Sequence, residues 1–139
     1  VLDKFPHLKV GFLEGLAGWI PAMAERMDEE YERRPHEAPL LNKKPTEYFR
    51  EGRMFFGIES GEWMLPVVIR YLGSDKELMY SSDYPHWDGE FPNSTRIMME
   101  REDLTDQNKR NILGENARRF YPGLVEAESV VGKATQKRS

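Results

Sequence analysis

The chain has 139 residues, with 20 basic side chains against 24 acidic ones, a formal net charge of −4 and no cysteine. That balance lacks the clustered Lys and Arg of a nucleic-acid footprint, and without cysteine there is no disulfide framework, thiolate metal site or cysteine nucleophile. Hydrophobic residues at 39% and charged residues at 32% suit one packed domain in water, and no stretch approaches the roughly 18 apolar residues of a membrane helix.

The first residues, Val1-Leu2-Asp3-Lys4-Phe5, lack the basic-then-apolar order of a signal peptide, which points to a cytoplasmic chain. A start at Val, not Met, fits processing, a cloning boundary or a piece of something longer. Leu8, Val10 and Phe12 alternate, and Leu13 follows, predicting a first strand over 8–14. Ile20, Met23, Met27 and Tyr31 share one face of a predicted helix over 19–34, supported by the pairs Glu29–Arg33 and Glu30–Arg34. Pro35 and Pro39 end it, and residues 44–50 read as a short helical turn. A second strand is predicted over 53–59 and a second helix over 62–72, with Pro66 in its first turn. Residues 77–83 read as a third strand, 93–101 as a helix, and 105–120 as a last helix with Thr105 as N-cap and Gly114 as a break. Met23, Met27, Phe55, Phe56 and Trp63 read as core. The chain divides into a folded part, 1–122, and a polar tail, 123–139, expected to be disordered or peripheral.

Strand and helix thus alternate three times. That pattern means an α/β fold of three consecutive βα units around a parallel sheet. Active groups in such folds sit at the carboxyl ends of strands. Three acids stand there: Glu14, Glu59 and Asp83, with His86 close behind. A strand-end acid often only caps a helix or binds loop amides, and His86 has an equally plain reading as a loop histidine. Asp83 stands out, between hydroxyl residues and a Tyr-Pro pair, near Trp87 and Asp88.

Tyr80-Ser81-Ser82-Asp83-Tyr84-Pro85-His86-Trp87-Asp88 resembles the strand-eight motif of the amidohydrolase-related family. Phe5 to Gly15 resembles that family's sixth strand, and Ile112-Leu113-Gly114-Glu115-Asn116-Ala117-Arg118-Arg119-Phe120-Tyr121 its closing helix. The resemblance implies the last three βα units of a metal-dependent (β/α)8 barrel, and hence a hydrolase or a decarboxylase. It makes Asp83 a ligand of a divalent metal, zinc first, or the base that takes a proton from metal-activated water. It turns His86, Trp19 and Trp87 toward a pocket for a small, aromatic or cyclic carbonyl substrate, and gives Glu14 a catalytic place.

The departures are as informative. The family's His-x-His pair and strand-five His have no counterpart in His7, His36 and His86, so most metal ligands are missing from this chain. Decarboxylase-type relatives carry His where Glu14 stands, which favours hydrolysis over decarboxylation. Two other readings follow from the residues alone: a barrel glycosidase pairing Glu14, Glu59 and Asp83 as acid and base, and a non-enzymatic binding module or remnant. Open sheet edges would invite association or a homo-oligomer. No membrane or nucleic-acid partner is expected.

Overall fold

The alternation of the first strand is realised only over Val10–Phe12 (β1) in the computed structural model, which describes residues 1–124. From residue 125 on, the polar tail lies outside the described residues. β1 pairs in parallel with Met54–Ile58 (β2), and β2 with Leu78–Tyr80 (β3), in the order β1-β2-β3. Val10 stands opposite Met54, and Phe56 opposite Leu78. Each strand is shorter than the pattern suggests. Beyond β1 the backbone turns left-handed at Glu14, φ 59°, and beyond β3 at Asp83, φ 54°. β3 starts only at Leu78 because its N–H closes a turn on the Asp75 carbonyl at 3.1 Å.

Helices follow each strand as expected: Ile20–Arg33 (α1) and Pro45–Arg50 (α2) after β1, Leu65–Leu72 (α3) after β2, and Ser94–Glu100 (α4) after β3. The Glu29–Arg33 and Glu30–Arg34 ion pairs form on α1. Pro66 sits in the first turn of α3, where its missing N–H costs no hydrogen bond. Gly73 ends α3 in the left-handed region, φ 74°, and its N–H reaches the Ile69 carbonyl. No helix among the described residues is long and apolar enough to cross a membrane.

The last helical stretch corrects the expectation of a break at Gly114. Asp106–Arg110 (α5) and Asn116–Phe120 (α6) are joined by a π-helical turn, Asn111–Glu115, so the stretch widens instead of stopping. Thr105 caps α5 as expected: the Asn108 N–H donates to Thr105 Oγ1 at 3.1 Å, and the Thr105 N–H to Asn108 Oδ1 at 3.0 Å. The widened turn puts Asn111 and Asn116 on the same side. Asn111 Nδ2 donates to the buried Asp75 carboxylate at 3.0 and 3.1 Å, joined by Asn108 Nδ2 at 2.7 Å. Asn116, wholly buried, donates to the carbonyls of Asp75 and Leu78, both at 2.7 Å.

All five residues of β2 are buried. Met54, Phe56 and Ile58 join the core under the helices with Ile20, Phe49, Leu65 and Val68. Phe56 stacks on Phe12 and Phe49, with ring centroids 5.5 and 6.0 Å apart, and meets the edge of Trp19 at 5.8 Å. On the opposite face of the sheet the Phe120 ring packs against Phe55 at 5.1 Å and over Gly11. Phe55 and Phe56 are therefore core, as expected. Met23, Met27 and Trp63 are not, at 48%, 41% and 76% exposed. The two methionines face a groove beside β1, whose outer edge pairs with no strand among the described residues. That groove, about 350 Å³, is apolar, and its one acid, Asp3, accepts a bond from the Tyr48 hydroxyl at 2.5 Å.

Candidate functional site

Three parallel strands ending together bring Glu14, Glu59 and Asp83 to one end of the sheet. Glu14 and Asp83, the two acids with the strongest sequence case, both have positive φ, as does Leu16 at 55°. For residues with a Cβ this backbone is strained, and strain of this kind collects where a side chain must be aimed. The hydroxyls beside Asp83 build its turn. The Asp83 N–H donates to Ser81 Oγ, and the Tyr84 N–H to Ser82 Oγ, each at 3.4 Å.

Asp83 addresses His86 twice. Its carbonyl accepts the His86 N–H at 2.9 Å, and its Oδ1 lies 2.9 Å from His86 Nδ1. The Asp83 side chain is 21% exposed and that of His86 is 62% exposed, so the pair sits at the mouth of the site with the far edge of the imidazole open. The hydrogen bond to Asp83 raises the His86 pKa above its ordinary 6.5; the charges of Asp83, Glu14 and Asp88 push the same way. His86 is therefore a proton donor below that raised value and loses this ability as pH rises through it. In an NMR titration the His86 ring should show a midpoint above 6.5, and Asp83→Asn should bring it down. An unchanged midpoint would break the assignment of the pair.

Glu59, at the end of β2, is pushed upward in pKa by burial first, and then by the charges of Asp83, Glu90, Asp88 and Glu62. Two acids beside it were not singled out by the sequence. Glu62 Oε1 accepts the N–H groups of Ala17 and Gly18 at 2.8 and 2.6 Å, tying the loop after β2 to the loop after β1. Burial raises its pKa, against the pull of those two N–H groups and of Arg101. Glu90 lies against Gly61, where any side chain would collide with Glu90 Oε1. Arg101, just after α4, donates through Nη1 to the carbonyls of Ser60 and Glu62 at 2.9 and 2.7 Å, while Asp103 holds its other edge. Ser60 and Tyr80 reach the backbone and the hydroxyl of Ser94, each at 2.5 Å. The three strand-end loops are thus one hydrogen-bonded layer. Nothing local in the sequence marks Glu62, since its partners are 44 and 45 residues away.

Between the first two loops lies a cleft of about 530 Å³, walled by Leu16, Trp19, Glu59, Trp63 and Glu90. Trp19 lines this cleft, and its Nε1 donates to the Leu16 carbonyl at 3.1 Å. Trp87 is a correction: expected to line the pocket, it is 95% exposed, because the turn at 83–89 throws its side chain outward. Among the described residues no group of three His, Cys, Asp or Glu side chains converges as a metal site would require. Asp83 and His86 offer two donors already bound to each other, so the residues present do not complete a metal centre.

The family model described as Amidohydrolase matches residues 1–123. No curated protein matches the chain. Among solved structures, 5-carboxyvanillate decarboxylase from Sphingomonas paucimobilis superposes with a TM-score of 0.67 at 23% identity, over 87% of this chain and 36% of that one. An amidohydrolase from Mycobacterium avium subsp. paratuberculosis K-10 superposes with a TM-score of 0.69 at 20% identity, over 84% of this chain and 28% of that one. At these identities the likeness is one of fold. The chain spans about a third of the length of either structure.

Proposed function

Because the chain belongs to the amidohydrolase family, we propose that it forms the last three βα units of a longer (β/α)8 barrel that hydrolyses a small, aromatic or cyclic carbonyl compound. The observation that carries this is the Asp83–His86 pair, 2.9 Å apart at a strained strand end. The family order of the motifs and the greater length of the structural neighbours support the barrel reading. Asp83 takes a proton from the attacking water as its oxygen bonds to the carbonyl carbon. His86, whose hold on its proton Asp83 and Glu14 strengthen, gives a proton to the leaving group. Trp19 supplies an apolar wall. The family is generally metal-dependent, and Asp83 would give one carboxylate to a divalent cation, zinc first, held mainly by residues outside this chain.

The test uses the full-length gene product, assayed on aryl esters, amides and lactones and, separately, for carbon dioxide release from aromatic acids. The expected result is hydrolysis, lost on dialysis against a chelator and restored by zinc. Carbon dioxide release without hydrolysis would replace this reading with a decarboxylase. Hydrolysis of glycosides that survives the chelator would replace it with a glycosidase. A well-folded protein with no turnover on any of these would favour the binding module.

A further inference from the structure

We infer that Glu62 is a positioning residue, whose carboxylate latches the loop after β1 against the loop after β2 and so holds Glu14 at the mouth of the site. The functional weight of the latch rests on the reading of Glu14 just given; the latch itself stands on geometry alone.

The loop it holds is costly to form. Glu14 and Leu16 both occupy left-handed backbone, which persists only where surrounding contacts over-determine it. Of the loop's own side chains, Trp19 reaches the Leu16 carbonyl; the N–H groups of Ala17 and Gly18 are held from outside the loop. Trp19, at the N-cap of α1, makes no side-chain capping bond. Ala17 is fully buried, so its N–H has no access to solvent and needs a protein partner. One oxygen, Glu62 Oε1, serves both Ala17 and Gly18, at 2.8 and 2.6 Å. An ionised acceptor placed on backbone N–H groups before a helix gains from charge assistance and from the helix dipole.

Glu62 is itself held from behind. Arg101 Nη1 clamps the carbonyls of Ser60 and Glu62, and Asp103 forks the same guanidinium at 2.9 and 2.6 Å. The chain Asp103–Arg101–Glu62–Ala17/Gly18 therefore runs from the end of α4, across the loop after β2, to the loop carrying Glu14. The second oxygen, Oε2, is buried with no hydrogen-bond partner among the described residues. Only Oε1 carries the connection, and reach matters more than the second oxygen.

Trp19 reports on the latch, because its indole N–H is bonded to Leu16 inside the latched loop. Within this chain the other two tryptophans, Trp63 and Trp87, are 76% and 95% exposed, so a full-length protein in which these two and every tryptophan outside this chain are replaced by Phe keeps Trp19 as its single fluorophore. In that background Glu62→Ala should raise acrylamide quenching of Trp19 about twofold or more, with the far-ultraviolet circular dichroism unchanged. Sodium formate, but not chloride at equal ionic strength, should reverse the change by occupying the vacated N–H pair. Glu62→Gln keeps an acceptor at full reach and should stay close to the parent. Glu62→Asp keeps the charge, loses a methylene of reach, and should loosen the loop. If the alanine variant does not fold, the Gln and Asp pair decides. Equal quenching in Gln and Asp, or no advantage of formate over chloride, overturns the latch. The same readings in an Asp83→Asn background should be unchanged, so hydrolysis that survives this substitution, with the loop still latched, would count against the proposed reaction and leave the latch standing.

Discussion

Asp83→Asn should lower turnover by about 10²–10⁴-fold, the range for removing a positioned proton acceptor, with little effect on substrate affinity. The substitution is nearly isosteric, and the strained turn stays built, because Ser81 Oγ, Ser82 Oγ and the His86 N–H all bond backbone atoms. What changes is charge. The amide cannot take a proton from water, and it no longer holds His86 in its cationic form. Two roles are lost with one atom exchange. The double variant Asp83→Asn/His86→Gln should therefore be little worse than Asp83→Asn alone, because the two groups act as a unit. Steady-state kinetics of the full-length protein on the hydrolysed substrate measure this. Turnover within a factor of about three of the parent would remove Asp83 from the chemistry.

Asn116→Leu should cost about 1–3 kcal/mol of stability, although the two side chains have similar volume and the site is wholly buried. An apolar side chain is ordinarily welcome in such a place. Here the amide is the partner of two carbonyls, those of Asp75 and Leu78, where the chain turns into β3. Leucine removes the bond to the Leu78 carbonyl and leaves the Asp75 carbonyl with the Leu78 N–H, and a buried group that loses its partner costs about 1–3 kcal/mol. Chemical denaturation should show a lower midpoint with an unchanged slope. A shift below about 0.5 kcal/mol would mean that the Leu78 carbonyl finds another partner.

The sequence was most readable where the signal was local and periodic. The ion pairs of α1, the Pro at the start of α3 and the Thr105 cap depend on neighbours within one helical turn, and they stand where the pattern puts them. Glu14, Glu59 and Asp83 were legible as a group because parallel strands share a direction, so residues that end strands must meet. Glu62, Glu90 and Arg101 were not legible. Their work is done across loops, at separations no periodicity records. Asn116 is not legible either, because hydrophobic spacing has no way to nominate a buried amide. Trp63 misled for the opposite reason: an aromatic in a helical pattern suggested core, and it is 76% exposed.

The π-helical turn at Asn111–Glu115 makes the register of the closing segment sensitive to length and not only to composition. In an α-helix residues five apart point about 140° away from each other, so a regular helix could turn only one of Asn111 and Asn116 toward the start of β3. The extra residue retards the phase of everything after it, and both amides come round to the same side. Deleting Gly114, an open position where a side chain would meet nothing within 4 Å, would look harmless by contacts. It would also leave Asn111 and Asn116 four apart, about 40° from each other on a regular helix, so the π turn could close to an α turn with both amides still on one side and Phe120 still against Gly11 and Phe55. A one-residue insertion in this segment should therefore be far less tolerated than the deletion of Gly114.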